Sequence, residues 1–195
     1  MSRADVVQAR RTGARVFVAS LALTLMLATP AAGMLSVASA ADTNLEYKVK
    51  AAFLFNFARF VTWPTYKFDT ADSPIDICVL GLDPFDGVLD ETVSGKTISS
   101  RPLRIRRAQR PDDLRKCHIV YVGESDPARL QTLLGALSGH AVLTVHESPD
   151  TQNNGVVRFL IEDDRVRFEI NTAAAARENL QLSAKLLGVA RVVLK

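Results

Sequence analysis

Between Cys117 and Glu124 the chain reads HIVYVG, six residues that are nearly all apolar. A strand so composed has no face to give to water, so it belongs in the middle of a sheet covered on both sides. The rest of the sequence supplies sheet and cover by turns. IDICVL (Ile75 to Leu80) and AVLTVHE are further short apolar runs. RPLRIRRA alternates Leu103 and Ile105 with Arg104 and Arg106, and VVRFLIEDDRVRFEI is two alternating runs about an acidic turn at Glu162 to Asp164, the pattern of a hairpin. Between them lie segments of helical period. ESDPARLQTLLGAL has Ser125 or Asp126 as cap and places Leu130, Leu133, Leu134 and Leu137 on one side. In GLDPFDGVLDETV, Pro84 suits a helix's first turn, and a last helix is expected over Arg177 to Val193 with Leu182, Leu186, Val189, Ala190 and Val193 on one stripe. The expected fold is α/β, a single-domain layered fold with a mixed, mostly parallel sheet of about six strands flanked by helices. At 195 residues the chain is long enough for one sizeable core and short for two.

The N-terminus reads as an export signal. Arg3, Arg10, Arg11 and Arg15 form a basic start, Val16 to Leu27 is almost unbroken in its apolar character, and Ala38-Ser39-Ala40 is a small-residue cleavage site. Residues 1–40 are therefore expected to be a cleaved secretory signal, with a retained anchor as the alternative, and residues 41–195 to form the domain in a bacterial periplasm. The whole chain has a formal charge of +3, but residues 1–40 hold four arginines against the single acid Asp5, so the remainder is neutral. Its charge gives no support to nucleic-acid or anionic-membrane binding.

Cys78 and Cys117 are the two cysteines, and in an oxidising compartment two cysteines most often pair. The other reading makes Cys117 a thiol nucleophile beside His118. Neighbouring residues on a strand point to opposite faces, which places His118 badly for activating it.

Other motifs carry little chemistry. SGKT at Ser94 to Thr97 ends like a phosphate-binding loop, yet Asp90 stands where that loop needs a glycine. There is no dinucleotide fingerprint, so no cofactor is implied. His118, His140 and His146 lack zinc-type spacing, so no metal site is expected. Arg101, Arg104 and Arg106 head a dense basic stretch that could hold a carboxylate or phosphate, or could be a solvated strand face.

KVKAAFLFNFARFVTWP, from Lys48 to Pro64, concentrates Phe53, Phe55, Phe57, Phe60 and Trp63. At 100° per residue Lys48, Asn56, Arg59 and Thr62 cluster opposite Val49, Phe53, Leu54, Phe57, Phe60 and Val61, so an amphipathic helix is expected over Thr43 to Thr62, stopped by the proline. Asn56 and Arg59 interrupt a stretch already too short to span a bilayer. Phe55 near the polar side, Lys50 within the apolar face and Trp63 at the rim do not fit a core stripe; they belong either to core packing alone or to a core that also offers a partner surface.

Taken in order, EYKVKAAFLFNFARFVTWP, ICVLGLDPF, SGKTISSRPLRIRR, CHIVYVG, AVLTV, NNGVVRF and VRFEINTAAAARENLQLSAKLLGVARVV resemble the YfiR family of periplasmic regulators, from Glu46 to the C-terminus. The resemblance implies a regulator rather than an enzyme: a periplasmic, often dimeric protein that binds the sensor domain of an inner-membrane diguanylate cyclase, holds it inactive, and so restrains cyclic-di-GMP signalling and biofilm formation. Cys78 and Cys117 match the family's strand cysteines. Some members carry a second cysteine pair in the region matching Ser148 to Arg158, which here has none, so redox control through such a bridge is not expected. The expected partner surface comprises Phe55, Trp63 and Lys50, with Phe168 and Glu169 offering a second face for partner or dimer. The alternative is a sensor of small anions using Arg101, Arg104 and Arg106.

Overall fold

The computed structural model describes residues 35–149 and 155–194. The expected signal falls almost wholly on residues outside that range. Helix α1 (Leu35–Phe60) is followed by β1 (Val61–Thr62), β2 (Ile75–Gly81), α2 (Val88–Val93), β3 (Thr97–Ile98) and β4 (Arg101–Ala108). Then come β5 (Ile119–Gly123), α3 (Pro127–Leu137), β6 (Leu143–His146), β7 (Val157–Glu162), β8 (Arg165–Asn171), α4 (Thr172–Arg177), β9 (Gln181–Leu182), α5 (Ala184–Val189) and β10 (Val192–Leu194). The main sheet has eight strands in the order β10-β8-β7-β6-β5-β2-β4-β3, and β1 pairs separately with β9. The five strands β4, β2, β5, β6 and β7 run parallel, β3 pairs antiparallel to β4 and β8 antiparallel to β7, and β10 runs parallel to β8. The fold is thus mixed α/β and mostly parallel, as expected, with two more main-sheet strands than the sequence suggested.

The extra strand at the C-terminus has a local cause. The stripe read as one last helix breaks at Asn179, which adopts a left-handed φ of 55° after α4. Ser183 then caps a new short helix by accepting from the Leu186 N–H. The β-branched Val192-Val193 finally leaves it to pair with the edge of β8. α2 begins at Val88 rather than at Pro84, because Asp83 accepts from the Phe85 N–H and holds the proline in a turn. The hairpin forms as read, with Asp163 and Asp164 both at positive φ, as a two-residue turn between twisted strands requires. Asp126 caps α3 by accepting from the Arg129 N–H at 2.7 Å.

Alternation along the central strands sorts the core into two layers. Ile75, Ile77 and Val79 of β2, with Ile119 and Tyr121 of β5, meet Leu54 and Phe57 of α1 and Leu89 of α2. Cys78 and Leu80, with Val120 and Val122, meet Leu130, Leu134 and Leu137 of α3 on the opposite face. Cys78 and Cys117 are disulfide-bonded and fully buried in this second layer, which rules out a free thiol at Cys117. The bridge joins β2 to the residues entering β5.

Candidate functional site

In open parallel sheets ligands favour the crevice where crossovers depart to opposite faces. Here that point lies at the ends of β2 and β5, and it is closed. Leu82 donates its N–H to the Gly123 carbonyl, and a Cβ on Gly123 would fall 2.0 Å from the Leu82 oxygen, so only glycine permits this approach. The space beside it holds Phe85, whose ring meets Tyr121 at 5.0 Å and Tyr47 at 5.5 Å, both edge-on.

Behind these rings sits a buried charge. Lys50 is 1% exposed, and its ammonium pairs with Glu147 at 2.8 Å and with Glu46 one turn earlier on α1. It also stands 4.4 Å from the centre of the Tyr47 ring. Tyr121 donates its hydroxyl to Glu147 at 2.7 Å. Burial works against the lysine's charge, but the two carboxylates more than offset it and hold Lys50 above its ordinary pKa. Burial, then Glu147, pushes the Tyr121 phenol up. All four groups have partners, so the cluster locks α1 to β5 and β6.

Of the residues expected to face a partner, Lys50, Trp63, Phe168 and Glu169 are buried and Phe55 is half-buried. Lys50 is in that lock. Trp63 is 6% exposed and donates its indole N–H to the His118 carbonyl at 3.1 Å. Phe168 is buried with its ring 5.1 Å from both Phe53 and Phe57. Glu169 is buried and accepts from Arg158 and Arg191. Phe55 is half-buried, with the Lys96 ammonium 4.7 Å from its ring centre. For Lys50 and Phe55 the reason is that α1 is flanked by α2, β8 and α5 as well as lying on the sheet, so more of its circumference is covered than an amphipathic wheel allows.

Apolar surface appears instead at the other end of α1. Leu45 is 63% exposed and Ile161 51%, and Val49, one turn after Leu45, is exposed too. With Val166 they line an open groove of about 560 Å³ between α1 and the β7–β8 hairpin, edged by Glu46, Asp164 and Arg165. Ile161 shares the inward parity of Val157 and Phe159, but at the hairpin tip it runs past the helix that would cover it. Nothing in the local pattern of either segment reveals this, because the groove exists only once both are docked.

The arginine strand divides. Arg101 donates to the carbonyls of Thr70 and Ser73 and stacks 3.8 Å from the centre of Phe68, so it braces a loop. Arg104 grips Asp76 with two bonds of 2.7 and 2.9 Å. Arg106 approaches the same carboxylate only to 3.9 Å. Among the described residues no group of three or more His, Cys, Asp or Glu is placed to hold a metal, and no helix is long and apolar enough to cross a membrane.

Fold and surface together define a three-layer α/β domain with a disulfide-pinned parallel core and an open apolar groove on one helix. The chain belongs to the YfiR/HmsC-like family (DUF4154), which it matches over residues 47–191, and that family suggests a periplasmic regulator. Two solved structures are similar at lower levels. One is a conserved domain protein from Vibrio cholerae O1 biovar El Tor, at 10% identity and a TM-score of 0.44 over 61% of this chain and 54% of that one. The other is an ABC domain in complex with L-Trp from Streptococcus pneumonia, at 8% identity and a TM-score of 0.47 over 76% of this chain and 60% of that one. The chain thus spans little more than half the length of the structures it matches.

Proposed function

We propose that this protein is a non-catalytic periplasmic regulator that docks on the sensor domain of an inner-membrane diguanylate cyclase and holds it inactive, restraining cyclic-di-GMP signalling and biofilm formation. Family membership supports the regulatory part of the reading. The observation that carries the docking part is the groove of Leu45, Val49, Ile161 and Val166. Exposed apolar side chains gathered between two rigid elements are what an interface core requires, and the charged rim of Glu46, Asp164 and Arg165 supplies orientation. Removal of residues 1–40 would leave Leu45 in the opening turns of α1, accessible to a partner at the membrane surface.

Co-purification of the mature protein with the periplasmic sensor domain of a diguanylate cyclase from the same genome tests the reading. The double variant Leu45→Asp/Ile161→Asp should lose capture and keep its melting temperature within about 2 °C, since both residues are exposed. Capture undiminished in that variant would remove the groove from the interface. Size-exclusion chromatography of the same pair reports whether the groove instead joins two copies of this chain.

A further inference from the structure

A second cavity, of about 310 Å³, opens at the opposite end of the sheet, where β2, β4 and β5 begin. It shares no lining residue with the groove. His118 lines it and is 3% exposed. Its Nδ1 accepts the Asp76 backbone N–H at 3.1 Å, so the neutral ring carries its proton on Nε2. That Nε2 is buried with no hydrogen-bond partner among the described residues. Phe68 stacks on the ring at 4.5 Å and Trp63 meets it edge-on, so the imidazole is held in place from two sides.

The walls around this orphan donor are cationic. Lys67, Arg104, Arg106, Arg115 and Lys116 line the cavity against the carboxylates of Asp69 and Asp76. Asp76 is already taken by Arg104. Lys67 donates to the carbonyls of Arg115 and His140, which uses two of its three protons. Burial lowers Lys67 to about 8, against the opposing pull of Glu178 and Asp76. Donors with fixed positions and a surplus of positive charge define the complement of an oxyanion.

We propose that this cavity binds a small oxyanion, a carboxylate or phosphate group, received by His118 Nε2–H and the Lys67 ammonium and enclosed by Arg106 and Lys116. The site is separate from the docking groove, and its occupancy can be measured without any protein partner. It also revises the arginine strand's role: Arg106 faces the ligand, Arg104 positions Asp76, and Arg101 stays with its loop.

The disulfide-bonded protein, labelled with ¹⁵N-histidine, is titrated with inorganic phosphate and separately with succinate, each against sodium chloride of equal ionic strength. The His118 Nε2 resonance should move saturably with at least one of them. A response to phosphate alone assigns a phosphate ligand, and a response to succinate alone a carboxylate. The variant Arg106→Ala/Lys116→Ala, which alters two exposed side chains, should weaken that binding at least tenfold with the melting temperature retained. If neither anion moves the resonance beyond the chloride control, or if the variant binds as the parent does, the proposal is overturned.

Discussion

The two ends of the parallel sheet treat buried polarity in opposite ways. At the end where the strands finish, Lys50, Glu46, Glu147 and Tyr121 satisfy one another, and the crevice is stoppered by Phe85 and Tyr47. At the end where they begin, His118 keeps an unpartnered donor beside a cavity with more cations than carboxylates. Each end buries a titratable side chain, Lys50 at one and His118 at the other, so burial alone does not tell a lock from a receptor. Whether the donors and acceptors close on themselves does.

The largest effect should come from the disulfide, which stands on the open end and fixes the register that brings Asp76 to His118. Cys78→Ala/Cys117→Ala releases a closed span of 39 residues and should cost about 4 kcal/mol in urea unfolding. It should also weaken any phosphate or succinate binding while leaving the Tyr121 environment, read by near-ultraviolet absorbance, unchanged. Lys50→Met comes next. It leaves Glu46 and Glu147 facing each other, each about a third exposed, and should cost about 3 kcal/mol, near the low end for a broken buried pair because both acids stay partly hydrated. An equal loss of anion binding in this variant would break the contrast between the ends.

Acid should act at a third level. Burial, aided by the cations Lys67 and Arg101 and opposed by Asp76, holds His118 at about 4, and burial with Arg158 does the same for His146. Between that value and the ordinary 6.5 the unfolded chain takes up protons that the fold refuses. Stability is therefore full above pH 7 and falls as pH drops toward 4, by about 2 kcal/mol per histidine at pH 5. Urea midpoints at pH 7.5 and 5 measure the sum. Saturating phosphate should offset part of the acid loss, because a ligand held by the fold alone stabilises it by mass action. The smallest effect is Arg106→Ala, whose loose contact with Asp76 is worth no more than about 0.5 kcal/mol to the fold. A larger loss would make Arg106 a structural member of the Asp76 cluster.

Patterns with a short period were legible before the structure: the apolar β5, the capped α3 and the hairpin around Asp163 and Asp164. The spacing of Leu182, Leu186 and Val193 is helical by chance, since the three fall in β9, α5 and β10 beyond a left-handed Asn179. Lys50 stood out as an anomaly within an apolar face, but its cause is Glu147, nearly a hundred residues on and joined by docking alone. The cavity was even less visible, since Lys67, Arg106 and the pair Arg115 and His118 come from three separate segments. Sequence could flag the arginines. It had no means to say which of them would find an internal acid and which would be left over.

The rings that close the core also set a schedule. Phe53 and Phe57 of α1 rest on Phe159 and Phe168, both from the hairpin near the far end of the chain. A chain delivered N-terminus first presents its most aromatic helix at the start and the surface that covers it almost last. Until residue 168 arrives, the Phe53 and Phe57 rings of α1 lack their cover from the hairpin. Slow delivery of the C-terminal third should therefore raise aggregation even when the finished fold is unaltered.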